Sequence, residues 1–197
     1  MPRIEGVSDT RAGPSVRLVY HFTRRGLARL SDREPEGIID PLRMYAHVPG
    51  LLRGYAGLER ATAKLHHLDQ RLRALAELRA AMLVSCEYCV DLGSTVARRW
   101  GLTDAELRAL PAYADSPLFS ELDKRVLDYT AGMCRTPAHV SDEVFAALRA
   151  HLTDVQLVEL THVIALENLR ARFNIGLGIG AAGFSDSCPV PDRGDDS

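Results

Sequence analysis

Cys86 and Cys89 stand three residues apart in the run Val84-Ser85-Cys86-Glu87-Tyr88-Cys89-Val90-Asp91. That spacing puts two thiols on one side of a helix's first turn, close enough to bridge. Ser85 is the expected N-cap, and Cys89, Val90, Val96, Ala97 and Trp100 carry the helix on to Gly101. The partial positive charge at a helix N-terminus stabilises a thiolate and draws its pKa below the free value of about 8.5. A thiolate with a partner one turn away can attack a peroxide or a disulfide and then close on its neighbour. Two other chemistries compete for the same spacing. A Cys-x-x-Cys pair is half of a zinc site, but Cys134 and Cys188 lie far apart, His66 and His67 are adjacent, and no second pair completes a ligand set. No metal or organic cofactor is therefore expected. Free cysteines also pack well as small apolar residues, so a purely structural pair is the third reading.

The elements that must hold these thiols read as helices throughout. Leu68, Leu72, Leu75, Leu78 and Met82 recur at three- and four-residue steps before the pair, within a helix expected over 65–84. A shorter helix is expected over 51–55. Leu102-Thr103-x-x-Glu106-Leu107 and Leu152-Thr153-x-x-Gln156-Leu157 are capping boxes with hydrophobic staples, and Val140-Ser141 with Phe145 supplies a staple alone. They start helices near 104–110, 154–173 and 142–151. Leu118 to Met133 has helical spacing, and so does Pro14 to about Leu30, whose polar side is basic (Arg17, Arg24, Arg25, Arg29). That basic face suits either a membrane-surface helix or a docking helix with a solvated side. No alternating run of strand length occurs, so the fold is expected to be all-α.

Gly178-Ile179-Gly180-Ala181-Ala182-Gly183 matches the dinucleotide-binding pattern in its letters. That pattern needs a strand before it, and a helix precedes it here, so the run reads as a glycine-rich helix exit. The chain divides into an N-terminal arm and docking helix (1–40, with a loop over 31–41), a helical domain (41–187) and an acidic, disordered tail (188–197).

The 197 residues are 46% apolar and 25% charged with a net charge of -2. That charge disfavours nucleic acid as a partner, no run approaches the roughly 18 apolar residues of a membrane span, and no secretory signal is evident. A cytoplasmic protein is expected, in which a close cysteine pair is more often redox-active than structural.

The run Leu78-Arg79-Ala80-Ala81-Met82-Leu83-Val84-Ser85-Cys86-Glu87-Tyr88-Cys89-Val90-Asp91 resembles the signature of the AhpD-like/carboxymuconolactone decarboxylase family. Ala165 to Asn174 resembles the closing helix of its longer, alkylhydroperoxidase-like members, and Tyr45-Ala46-His47-Val48-Pro49 is similar to that group too. The resemblance runs from about residue 40. It implies an AhpD-like helical bundle that forms a homo-oligomer, peroxidase or disulfide-reductase activity, a hydroperoxide or disulfide substrate and an external thiol reductant. It also makes Cys89 the attacking thiol and Cys86 its resolver, whereas helix position alone favours Cys86. The family pattern places a histidine four residues after the second cysteine and a glutamate twelve before the first. Here those positions are Gly93 and Ala74. Loss of that relay predicts weakened hydroperoxide turnover, since general acid–base help is worth about 10²–10⁴-fold.

The candidate site is therefore Cys86, Cys89, Glu77, Tyr88 and His162. Glu77 lies one turn nearer the cysteines than Ala74 and stands in for the missing glutamate, or is a solvated helix residue. Tyr88 and Asp91 offer a hydroxyl and a carboxylate. On the closing helix, Glu159 and His162 are three apart and Glu167 follows; they form an acid–base set or a plain salt-linked pair. Arg170, Arg172 and Asn174 bind a substrate carboxylate or face the helix C-terminal dipole. Two rival functions remain: a lactone decarboxylase-type acid–base enzyme centred on His162 and Glu159, and a non-catalytic oligomeric scaffold.

Overall fold

The computed structural model describes residues 2–29 and 37–184. Every regular element among them is helical: α1 (Pro14–Leu27), α2 (Asp40–Tyr45), α3 (Pro49–Thr62), α4 (Gln70–Leu83), α5 (Glu87–Arg99), α6 (Asp104–Ala109), α7 (Glu121–Cys134), α8 (Asp142–Arg149) and α9 (Asp154–Leu177), with a 3₁₀ turn at Leu110–Asp115. None of these helices is long and apolar enough to cross a membrane. The tail from Cys188, Leu30 and the first part of the expected loop, 31–36, lie outside the described residues.

The capping boxes form at Thr103/Glu106 and Thr153/Gln156 as the sequence predicts, and Ser141 caps α8 through the Val144 N–H. A third box, Ser120 with Asp123, starts α7 three residues later than the apolar pattern does. The helix expected over 65–84 begins only at Gln70. Asp69 caps it by accepting from the N–H groups of Arg71 and Leu72, while Glu159 accepts the N–H groups of His67 and Leu68 and holds that segment as a loop.

Helix α4 is the spine. It packs against α5, α7 and α9, and Leu72, Ala74, Leu75, Ala76, Leu78, Ala80, Ala81 and Met82 are all buried. Its alanines let three helices approach it at once, which a narrower apolar stripe would not permit. The N-terminal arm folds back onto this bundle. Arg3 N–H donates to the Leu177 carbonyl, Val7 N–H to Arg43, and the Tyr20 hydroxyl to Val7. Helix α1 docks by Val16 and Tyr20, and its Arg24 grips Asp9 with two bonds of 2.6 and 2.8 Å.

Candidate active site

Two helix exits deliver the site. At the end of α4 the Cys86 N–H donates to the Ala81 carbonyl and the Ser85 N–H to Met82, with Ser85 at φ 59°. This is a Schellman closure with a serine where glycine is usual. Ser85 is thus the terminator of α4, not the expected cap of α5. The cap is Cys86 itself, whose Sγ accepts the Cys89 N–H at 3.2 Å. At the end of α9 the Ile179 N–H donates to the Asn174 carbonyl and the Gly178 N–H to Ile175, with Gly178 at φ 69°. The glycine run is a helix exit, as its context predicts. It fixes the backbone of Asn174 on the last turn.

Cys86 and Cys89 are joined by a disulfide, with their Cα atoms 5.2 Å apart. Cys86 is fully enclosed, and Cys89 retains 8% exposure. The buried Asn174 side chain lies over the pair, its Nδ2 3.5 Å from the Cys89 sulfur and 3.8 Å from that of Cys86. Asn174, which the sequence offered only as a carboxylate-binding or dipole residue, is the one side chain hydrogen-bonded to both sulfurs among the described residues. Its spacing on α9 carried no signal of this, because the contact depends on how α9 crosses α5.

The remaining candidates take separate places. Tyr88 is buried and its hydroxyl donates to the Ile38 carbonyl at 2.8 Å, while burial raises its pKa. Asp91 is buried, and one of its oxygens accepts the N–H groups of Ala182, Gly183 and Phe184 at 2.7–3.0 Å. It binds the segment leaving α9 to α5, where Phe184 meets Tyr88 edge-on. His162 pairs with Thr62 Oγ1 at 2.7 Å, and Glu159 with His67 and the backbone before α4. The expected Glu159–His162 pair is therefore not formed: three backbone and ring donors of the loop at 67–68 claim the carboxylate first.

Glu77 joins a partly buried ionic cluster. Arg170 grips Glu59 with two bonds of 2.8 and 2.6 Å and reaches Glu167 at 3.1 Å and Glu77 at 3.5 Å. Arg73 adds a second contact to Glu77 at 3.4 Å. Burial alone would raise the Glu59 carboxyl, but the Arg170 clamp holds it below its ordinary value. Burial pushes Glu167 the other way, to about 7, and Arg170 offsets it only in part. Arg170 is committed to these three carboxylates, so it is not the free carboxylate binder the sequence allowed. Arg172 is exposed and bonds Thr136 Oγ1 at 3.4 Å. Cys134 is half-buried, accepts from Asn168 Nδ2 at 3.2 Å, and its thiol is pushed up by burial. No group of three or more potential metal-ligating side chains occurs among the described residues.

The relay positions of the family pattern carry no side chain able to move a proton. Ala74 is packed in the core, and a Cβ at Gly93 would sit 3.4 Å from Leu78 Cδ1.

Residues 49–131 match the model of the carboxymuconolactone decarboxylase family. The protein YnjA of Escherichia coli (strain K12) is 36% identical over 174 residues, which are 86% of this chain and 92% of YnjA. Among solved structures, a peroxidase-related protein with an alkylhydroperoxidase AhpD core, from Ralstonia eutropha JMP134, superposes with a TM-score of 0.74 at 17% identity, covering 91% of this chain and 92% of that one. The debrominase Bmp8 superposes with a TM-score of 0.72 at 20% identity and 88% coverage of each chain. The chain belongs to the carboxymuconolactone decarboxylase family and has the AhpD-like, all-helical fold.

Proposed function

We propose that the protein is a thiol–disulfide oxidoreductase of the alkylhydroperoxidase-like type, cycling Cys86 and Cys89 between dithiol and disulfide. The observation that carries this reading is the cysteine pair at the opening of α5, within bonding distance and with a backbone N–H aimed at one sulfur. Cys89 has the greater exposure and is the attacking thiol; Cys86, enclosed, resolves.

In the oxidising half-cycle the Cys89 thiolate attacks the terminal oxygen of a hydroperoxide. An S–O bond forms, the O–O bond breaks, and the departing alkoxide takes a proton to leave as an alcohol. The Cys86 thiol then attacks the Cys89 sulfenic acid. The S–S bond forms, the S–O bond breaks, and hydroxide leaves as water with the Cys86 proton. An external dithiol supplies two electrons and two protons to restore both thiols. With Ala74 and Gly93 at the relay positions, hydroperoxide turnover is slow and disulfide exchange, which needs less proton traffic, is the faster reaction.

A reducing compartment such as the cytoplasm suits this cycle. The reading includes self-association, for which α9 offers Val155, Val158 and Leu169 and α3 offers Leu51 and Leu58, all exposed; light scattering tests it. The test of function is turnover of cumene hydroperoxide and of an aromatic disulfide with a dithiol reductant. Cys86→Ser and Cys89→Ser are each expected to abolish cycling of both. Full turnover in the double variant would exclude the reading and favour an acid–base enzyme.

A further inference from the structure

Asn174 holds two observations together. Its Nδ2 approaches both sulfurs, while its Oδ1 is buried with no hydrogen-bond partner among the described residues. The residue is only 3% exposed. A buried amide oxygen left bare costs stability, so an enclosed carboxamide ordinarily satisfies both ends. Here one end is spent on the redox sulfurs and the other is left unpaired.

The surroundings explain why the donor end matters. The bonds to the two sulfurs come from the Cys89 N–H and from Asn174 alone among the described residues. No histidine, lysine or arginine donates to either sulfur there, and position 93 on the same helix is a glycine. A thiolate so enclosed, with no cationic side chain bonded to it among the described residues, would otherwise be penalised by burial. A carboxamide N–H offers the missing charge-assisted bond without adding a group that titrates. Asn174 is also well fixed for the task, since the Ile179 N–H grips its own carbonyl in the closure of α9.

We propose that Asn174 is a catalytic residue of the thiol cycle, its Nδ2 holding the charge on the attacking sulfur and its Oδ1 accepting the hydroxyl hydrogen of an incoming hydroperoxide. This deepens the thiol–disulfide reading and rests on it. It also separates two substrate classes: a hydroperoxide carries the O–H that Oδ1 can accept, and a disulfide carries no such donor. The protein should therefore use Nδ2 for both classes and Oδ1 for hydroperoxides alone.

The test compares wild type with Asn174→Ala, and with Asn174→Leu, which keeps the buried volume should the alanine variant lose its fold. The first readout is the rate of thiol alkylation against pH in the reduced protein. Loss of a hydrogen bond to a thiolate is expected to raise the apparent pKa of the more acidic thiol by about one to two units, a 10- to 100-fold loss of thiolate at fixed pH. The second is the ratio of kcat/KM for cumene hydroperoxide to that for an aromatic disulfide, which should fall about tenfold further in either variant. A merely structural role would lower Tm and move neither readout. Unchanged thiol acidity in a folded variant whose two cysteines still form their disulfide would overturn the proposal and leave the thiol reading standing. Failure of the wild-type pair to cycle at all would overturn both.

Discussion

Glu167 meets Arg170 through a single oxygen, at 3.1 Å, and its other oxygen, Oε1, is enclosed without a hydrogen-bond partner among the described residues. Arg170 turns its paired edge to Glu59 instead. Three carboxylates thus share a pocket with two arginines, Arg170 and Arg73. With every group ionised the pocket carries one negative charge too many. Burial, aided by the neighbouring Glu77 and Glu59 charges and offset only in part by Arg170, holds the Glu167 carboxyl at about 7 against an ordinary 4.5, so Glu167 is the member that keeps its proton.

That proton makes stability depend on pH with a definite sign. Between pH 4.5 and about 7 the folded chain holds a proton on Glu167 that the unfolded chain has released. The contribution is therefore whole below pH 4.5, falls as pH rises through that window, and is gone above it. Glu59, Glu106 and Glu159 are held low and act with the opposite sign at more acid pH. The variant Glu167→Gln isolates the effect. Denaturant unfolding from pH 4.5 to 8 should show wild type losing roughly 1–3 kcal/mol relative to the variant. Parallel curves would mean that Glu167 is ionised throughout.

Ser85 carries the left-handed turn that ends α4 one residue before the redox pair. A side chain there costs on the order of 1 kcal/mol relative to glycine. Ser85→Gly should raise the urea midpoint by an amount worth about 0.5–1 kcal/mol, with thiol cycling unchanged. A fall in stability would show that the serine side chain makes a contact worth more than the relief of the turn.

Asp91 holds three successive N–H groups of the segment beyond α9 with one oxygen. Asp91→Ala should leave all three without that acceptor and free the segment from α5. Amide exchange at Ala182, Gly183 and Phe184 should quicken by about 10-fold or more, as expected for hydrogen bonds to a charged group. Unaltered protection at those amides would place the anchoring elsewhere, in the Thr95 hydroxyl bond to the Phe184 carbonyl or the Tyr88 ring contact.

What the sequence made legible was whatever is decided within one turn of chain. Thr103 with Glu106 and Thr153 with Gln156 satisfy their own helix starts, so their spacing announces them. The cysteine pair is of the same kind. At Ser85 two motifs overlap: the exit of α4 and the entry of α5 share one residue step, and the preference of serine for N-caps hides its use as a terminator. Asp69 and the Ser120–Asp123 box fall inside their apolar stripes, after Leu68 and Leu118, so the stripes alone set both helix starts too early. The parts of the site set by distant pairings left no local trace. Glu159 lies three residues before His162 on α9, yet bonds the chain 91 and 92 residues away. Asn174 reaches sulfurs 85 and 88 residues upstream. Helical spacing predicts which residues share a face, and the crossing of α9 over α4 and α5 decides what that face meets.

The most direct test of the central claim is mass mapping of the cysteines of the protein reduced by a dithiol and freed of it, before and after one equivalent of cumene hydroperoxide, with free thiols trapped by alkylation. The account predicts that the peptide holding Cys86 and Cys89 goes from two alkyl groups to none and becomes lighter by two hydrogens relative to its unalkylated dithiol, while Cys134 stays alkylated. Retention of both alkyl groups on that peptide, or oxidation confined to Cys134, would contradict it.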